Sequence, residues 1–271
     1  MKICVVHVNV ESLSGKFTEL ITANFNRVKR PDTEIVHKYV AHLRRAADTV
    51  FPFPILLNKV DVVARMVEAA EEGIDACMVA CSGDPGVIEA RTLVDIPIVG
   101  PMEAAVHLAA QYGRKLGIVT VQDPSWVEYC EATVDTCGLS GRLAGVEKID
   151  IPSSLAFTKG FEEMGPVRDS ILAAARRLVE RGAQSIVIGS AGLSVMSSAT
   201  GLSQVPEVGV PIFDTMSVGF KMAELRADLQ KSLGAPPISR TGVFERVSDD
   251  DRGRIARLFS LPWAPAKPER A

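Results

Sequence analysis

The stretch Gly73-Ile-Asp-Ala-Cys-Met-Val-Ala-Cys81-Ser-Gly-Asp-Pro-Gly86 joins a strand-type run to a tight turn. Small and apolar residues before Cys81 are typical of a strand that is covered on both faces of a parallel sheet. Gly83, Pro85 and Gly86 are turn formers and follow at once. Cys81 is therefore predicted to lie at the carboxyl end of a strand, where open α/β sheets bind their ligands.

The second half of the chain repeats this pattern. In Gly182-Ala-Gln-Ser-Ile-Val-Ile-Gly-Ser190-Ala-Gly192, a strand-type run again leads from a glycine to a small polar residue eight positions later. The flanking segments match as well: 2–8 with 115–121, and 94–99 with 208–213. The three matches are offset by 113, 109 and 114 residues. We therefore predict two copies of one βαβ-type unit, with Cys81 and Ser190 at equivalent positions.

Predicted strands and helices alternate along the whole chain, which indicates an α/β protein with parallel sheets. We predict two lobes, one built from residues 1–113 and 214–271 and the other from 114–213. The tail from Pro262 is rich in proline and alanine and is predicted to be frayed.

The composition excludes several classes of protein. A chain of 271 residues with 47% hydrophobic and 23% charged residues is typical of a globular protein with a sizeable core. A net charge of -3 argues against a nucleic-acid partner. No apolar run reaches the roughly 18 residues that span a membrane, and the chain opens on a strand rather than a signal peptide. Five cysteines, an odd number, favour a reducing compartment, so we expect a cytoplasmic protein.

Cys81 has a structural interpretation and a chemical one. A lone cysteine often packs as a small hydrophobic residue, whereas the amides of Ser82 and Gly83 in the following turn would stabilise a thiolate or an anion. Cys77 lies four residues earlier on the same strand, roughly 13 Å away, which excludes a disulfide between the two. The four histidines show no pair with the spacing of metal ligands, so no metal is expected.

Other polar residues near the strand ends have structural alternatives. Ser190 suggests a hydrolase nucleophile, but the nucleophile elbow needs glycine where Ile188 stands. Asp84 is either a base or the cap of a helix that begins near Pro85, and capping is favoured. Glu103 is interpreted as a first-turn helix residue that the helix dipole favours, and His7 as a residue that lines a cleft.

These segments resemble the hydantoin racemase branch of the aspartate/glutamate racemase superfamily over about residues 1–230. The resemblance is carried by the Cys81 stretch and by Asp95-Ile-Pro-Ile-Val-Gly-Pro-Met-Glu103. Gly189-Ser190-Ala191-Gly192 is similar to the family's Gly-Cys-Ala-Gly, and Val210-Pro-Ile-Phe-Asp214 to its Val-Pro-Val-Ile-Asp. The start of the chain resembles a strand followed by an Asn-Pro-Asn-Thr loop, with Asn9 kept, Val8 in place of the proline and His7 in place of the first asparagine.

The resemblance implies two pseudo-symmetric flavodoxin-like lobes with the active site in the cleft between them, and neither metal nor organic cofactor. In that family, two cysteines face each other across the substrate carbon and exchange its proton. The thiol pKa is expected to be lowered by helix N-termini and buried amides. The substrate would be a small carboxylate or a cyclic imide, and a homo-oligomer is expected. Residues at matching positions would bind that substrate: Asn9, Ser82, Gly83, Ala191 and Gly192.

Ser190 stands where the family has its second cysteine. A hydroxyl is a far weaker acid than a thiol, so Cys81 is the expected acid/base or nucleophile, and Ser190 a proton donor or oxyanion ligand. Three alternatives follow: a single-cysteine decarboxylase, a cis-trans isomerase of a small dicarboxylate, or a relative that binds a small acid without turnover.

Overall fold

The computed structural model describes residues 1–261 and 263. The prediction of a frayed tail from Pro262 and the end of the predicted first lobe therefore fall largely outside the described residues.

Nine strands of the described chain form two sheets. Their bounds are β1 Lys2–His7, β2 Glu34–Tyr39, β3 Ala76–Val79, β4 Ile98–Val99, β5 Leu116–Thr120, β6 Leu143–Lys148, β7 Ser185–Ile188, β8 Gln204–Val205 and β9 Val210–Asp214. The first sheet has the order β2-β1-β3-β4, and the second the order β6-β5-β7-β9-β8. All neighbours are parallel except β8 and β9.

The two sheets confirm the α/β class and the internal repeat. In each sheet the first strand of the unit lies between the second and third; β4 follows β3 in the first sheet, and β9 follows β7 in the second, with β8 as an added edge strand. The central strands β3 and β7 are buried along their whole length, as their unbroken apolar runs predict. The boundaries of the two predicted lobes stay a prediction.

Helices connect the strands and cover the sheets. Their bounds are α1 Gly15–Val28, α2 Pro52–Glu71, α3 Val87–Arg91, α4 Pro101–Ala109, α5 Pro124–Thr136, α6 Ser153–Ala156, α7 Met164–Glu180, α8 Ala191–Ala199, α9 Thr215–Leu233 and α10 Asp249–Leu258. Proline is the first residue of α2, α4 and α5. A backbone N–H at this position has no hydrogen-bond partner within the helix, so proline costs nothing there. Within the described residues, no helix is long and apolar enough to cross a membrane.

Helix α9 ties the two sheets together. It leaves the last residue of β9 in the second sheet, yet it packs against β3 and α4 beside the first sheet. Gly219 permits this close approach, because a methyl group there would lie 2.7 Å from Cβ of Pro101. Phe220 stacks on Phe25 with the ring centroids 4.4 Å apart. The start of α9 is thereby held beside the carboxyl ends of both central strands.

Candidate active site

Cys81 lies just beyond the carboxyl end of β3, as the sequence predicts. Its side chain belongs to the apolar core, and the residue is only 6% exposed. The N–H of Gly83 donates to its sulfur at 3.4 Å, a contact that the tight turn after the strand makes possible. The thiol is thus close to the surface of the core and has one backbone donor.

Ser190 occupies the equivalent position after β7, where it is the N-cap residue of α8. It is also 6% exposed, and its hydroxyl makes no capping bond to the amides of this helix in the described structure. No acidic residue stands in the first turn of α8. A methyl group at Gly192 would overlap the ring of Phe157, so glycine is required beneath that ring. Within the part of the chain that the structure describes, the first turn of α8 thus has no carboxylate of its own to balance the helix dipole.

A buried cluster of three hydroxyl groups links the turn after β3 to the second sheet. The Oγ of Ser82 lies 3.1 Å from Oγ1 of Thr215, which in turn lies 2.7 Å from Oγ of Ser194. The carbonyl oxygen of Ile188 lies 3.0 Å from Oγ1 of Thr215 and 3.2 Å from Oγ of Ser194, so it accepts a hydrogen bond from this pair. All three hydroxyl residues are almost fully buried. Ser82, which follows Cys81, and Ser194, one helical turn after Ser190, therefore both contact the first residue of α9.

Helix α5 makes a second bridge between the two strand ends. The indole of Trp126 donates to the carbonyl of Gly189 at 2.7 Å, and the hydroxyl of Tyr129 donates to the carbonyl of Gly83 at 2.6 Å. The two rings stack in nearly parallel planes with their centroids 5.1 Å apart. One aromatic pair thus holds the turns that carry Cys81 and Ser190.

Asn9 follows β1, the strand beside β3, and stands at the same edge of the sheet as Cys81. Its Oδ1 is buried and has no hydrogen-bond partner within the described residues. An unpaired buried acceptor is costly, and a bound molecule with an N–H group would satisfy it.

Comparison with known proteins shows which family this chain belongs to. The family model described as Asp/Glu/Hydantoin racemase matches residues 14–223. The chain belongs to this family. It is 30% identical over 232 residues to the hydantoin racemase of Pseudomonas sp. (strain NS671), an alignment that covers 85% of this chain and 88% of that one.

Two solved structures have the same fold over nearly the whole chain. The allantoin racemase from Klebsiella pneumoniae is 27% identical with a TM-score of 0.75, covering 92% of this chain and 94% of its own. The allantoin racemase from Pseudomonas fluorescens is 25% identical with a TM-score of 0.72, covering 91% and 97%. The protein is accordingly an isomerase of the racemase class.

In the free racemase, Cys81 is a neutral thiol. Burial raises its pKa to about 12, the nearby carboxylate of Asp84 adds to the rise, and the N–H of Gly83 opposes it. The expectation of a lowered pKa is therefore wrong for this state of the enzyme. Asp84 explains part of the difference, because its Oδ1 and Oδ2 accept from the N–H groups of Met102 and Glu103 at 3.0 and 2.8 Å. The N-terminus of α4 is thus neutralised by a carboxylate and does not stabilise the thiolate.

Asp84 is a helix cap, but of a different helix from the one predicted. It caps α4 and not the helix near Pro85, because a left-handed backbone (φ 47°) turns its side chain away from the following residues. Its pKa is raised to about 7, chiefly by burial, and the two amides oppose that rise. Glu103 lies in the first turn of α4, as predicted, and pairs with Arg91 at 2.6 Å.

His7 does not line a cleft. It is buried against Tyr39, with the ring centroids 4.5 Å apart, and its Nε2 lies 2.9 Å from Nδ1 of His37. Burial first, and then the neighbouring His37, lower its pKa to about 3, so the ring stays neutral. The described residues contain no group of three or more His, Cys, Asp or Glu side chains that would hold a metal ion.

The structure links the turn of Cys81, Ser82 and Gly83 to the residues around Ser190 through other side chains. The hydroxyl of Ser82 is engaged with Thr215, which leaves its backbone as the part that a substrate would meet. Residues that the sequence reading missed are Trp126, Tyr129, Phe157, Ser194 and Thr215. Two signals were available: Trp126 is one of only two tryptophans, and Thr215 directly follows the repeated strand that ends at Asp214.

Replacing Thr215 by valine tests the hydroxyl cluster. T215V removes the central hydroxyl but keeps the shape, so Ser82 and Ser194 each lose a buried partner. We expect the free energy of unfolding to fall by about 2 kcal/mol in urea titrations. T133V is the matched control, since it removes a hydroxyl bond to the carbonyl of Tyr129 within one helix. A loss no larger than that of T133V would contradict the role given to Thr215.

The pH dependence of alkylation tests the state of Cys81. Because only the thiolate reacts, a thiol with a pKa near 12 should be carbamidomethylated by iodoacetamide about tenfold faster with each pH unit from 7 to 10. Mass spectrometry of the Cys81 peptide measures this rate, with C81A as the blank. A plateau below pH 8 would show that the thiol is already activated in the free enzyme.

Proposed function

We propose that this racemase inverts the carbon α to a carbonyl group in a small hydantoin, without metal or organic cofactor. Cys81 removes and returns the proton on one face, and Ser190 acts on the other. The observation that supports this most is the position of the two residues at equivalent strand ends, with the adjoining turns joined by the hydroxyl cluster and by Trp126 and Tyr129. A cytoplasmic homo-oligomer also remains part of the proposal.

A hydantoin is favoured by the names of the relatives and fits the polar groups that are available. The unpaired Oδ1 of Asn9 can accept from an N–H group, and the hydantoin ring carries such donors. Hydantoin racemase and allantoin racemase are the names of the relatives over most of the chain. The first amides of α8, including those of Ala191 and Gly192, are suited to the negative charge that develops on a carbonyl oxygen.

The proton transfers balance through one enolate. Cys81 first loses its proton to solvent, and its thiolate then takes the proton from the substrate carbon to give the enolate and a neutral thiol. Return of a proton to the same face restores the starting enantiomer, while donation from Ser190 to the opposite face gives the other. The Ser190 hydroxyl recovers its proton from water. The thiolate of a thiol with a high pKa forms rarely, but it is a strong base once it has formed.

Two variants, C81S and S190C, test the residues proposed for the two faces of the substrate carbon one at a time. C81S should lower kcat/KM for racemisation of 5-methylhydantoin by about 10³-fold, since it removes the base. S190C should restore the two-thiol arrangement and raise the rate by on the order of tenfold. Circular dichroism of each pure enantiomer follows the reaction. S232A serves as the control, because it removes a hydroxyl bond to the carbonyl of Asp228 at the far end of α9.

Each other outcome contradicts part of the proposal. An unchanged rate in C81S would exclude Cys81 as the base. Release of CO₂ from α-aryl malonates with no racemisation of any hydantoin would identify a decarboxylase instead. Tight binding of hydantoins with no turnover in the wild type or in S190C would identify a protein that only binds the small molecule.

A further inference from the structure

An apolar segment begins helix α2, and the rest of the described chain leaves it uncovered. Residues 50–57 (Val-Phe-Pro-Phe-Pro-Ile-Leu-Leu) contain no charged or hydrogen-bonding side chain, a composition typical of buried positions. Five of these eight residues are nevertheless exposed: Phe51, Pro52, Phe53, Leu56 and Leu57. In the second half of the same helix, seven of the nine residues from 61 to 69 are buried. The described residues therefore cover one half of α2 and leave the other half open to a partner.

The exposed side chains of this segment share one side of the helix. Phe53, Leu56, Leu57 and Val60 are spaced at i, i+3, i+4 and i+7, so they lie within an arc of about 100°. Their exposed fractions are 68, 58, 58 and 42%, and Phe51, just before the helix, is 58% exposed. We call these five residues the α2 face. Its apolar area is on the order of 600 Å², at the upper end of the largest patch that a typical monomer exposes.

The α2 face has a hollow as well as a projection. A cavity of about 420 Å³ lies between α2 and the loop that follows β2, and its apolar walls come from Leu43, Phe53, Pro54 and Leu57. A cavity of about 150 Å³ already accommodates benzene, so this one has room for a phenylalanine side chain. Phe51 is exposed beside the cavity and is not one of its wall residues. Such a surface fits a second copy of itself, because a two-fold axis brings each projection to the hollow of the other copy.

The charges beside the α2 face favour a protein partner over a membrane. Helices that lie on an anionic membrane carry a cluster of basic residues on their polar side. Lys59 instead pairs with Glu89 at 3.2 Å, and Arg45 lies 3.9 Å from Asp48, so Arg44 adds one exposed cation and not a cluster. Two copies of the α2 face would bury on the order of 1,200 Å² in total, which reaches the range of specific and stable protein interfaces.

We propose that a second copy of this chain covers the α2 face. The two α2 helices pack about a two-fold axis, and Phe51 of each copy is seated in the cavity of the other. The homo-oligomer is thereby given a contact face, whatever reaction takes place at Cys81.

The contact also supports Asn9, because both of its neighbours in the chain are bonded to residues that line the cavity. The carbonyl of Val8 accepts from Nδ2 of Asn58 at 3.2 Å, and the N–H of Val10 donates to the carbonyl of Leu43 at 2.9 Å. A side chain of the second copy in the cavity therefore holds the segment that carries Asn9. This consequence rests on the proposed function, since it takes Asn9 to bind the substrate.

A charge placed in the α2 face tests the contact. L56E puts a carboxylate near the start of α2, where the helix dipole favours it, so the fold should persist. Sedimentation velocity of the wild type should show a species with at least twice the 29.1 kDa of one chain, and L56E should halve its mass. L225E is the matched control, because Leu225 is a half-exposed leucine within another helix, α9. It should leave the mass unchanged.

A second variant tests the projection. F51A removes the ring that enters the cavity and leaves α2 itself unchanged. It should raise the dissociation constant of the dimer about thirtyfold, as the loss of a buried aromatic anchor does. At concentrations where L56E is monomeric, its KM for 5-methylhydantoin should be about tenfold higher than that of the wild type, because Asn9 is then held less firmly.

The outcomes separate this inference from the proposed function. A wild type that is monomeric at every concentration, or an equal mass for wild type and L56E, would overturn the contact. An equal loss of mass in L56E and L225E would overturn it as well, and binding of a monomeric wild type to phosphatidylserine vesicles, lost in L56E, would identify a membrane surface instead. Dissociation of L56E with an unchanged KM would overturn only the effect on Asn9. If no hydantoin is racemised, the sedimentation masses still decide the contact.

Discussion

The contact of Ser82, Thr215 and Ser194 is the interaction on which the site depends. This contact joins the turn that follows β3 in the first sheet to α8 and α9 beside the second sheet. Three buried hydroxyls satisfy one another and the carbonyl of Ile188, so a shift of either sheet would leave several of them unpaired. This penalty fixes the position of the turn of Cys81 relative to α8. The stacked rings of Trp126 and Tyr129 hold the same two parts together independently.

Burial shapes the chemistry as well as the geometry. The same apolar surroundings that position Cys81 keep its thiol neutral, and Asp84 uses the amides of α4 that would otherwise favour a thiolate. Ser190 differs in one respect, because it is the N-cap residue of α8 and no acidic residue stands in the first turn of this helix. In the proposed mechanism the two faces of the substrate carbon are therefore unequal: Cys81 supplies a strong base that seldom forms, and Ser190 supplies a weak acid.

The sequence predicts what depends on local pattern. The apolar runs before Cys81 and Ser190 predict two central strands, and the near-constant offset between the halves predicts matching sheets; both are confirmed. The sequence did not predict the long-range contacts. Asp84 caps a helix 17 residues away from its own turn because of one positive φ angle, and His7 is buried because β2 brings His37 and Tyr39 to its side. Nothing in a linear pattern shows that Thr215 bonds to Ser82, which is 133 residues distant.

A crystal structure of the Cys81→Ala variant with a 5-substituted hydantoin would test the central claim most directly. The account predicts the ring between the two strand ends, with C5 within about 3.5 Å of both the Ser190 hydroxyl and the position of the missing sulfur. An N–H of the ring should lie within hydrogen-bond distance of Asn9 Oδ1. A hydantoin bound with C5 next to only one of these two side chains, or bound elsewhere, would contradict the account.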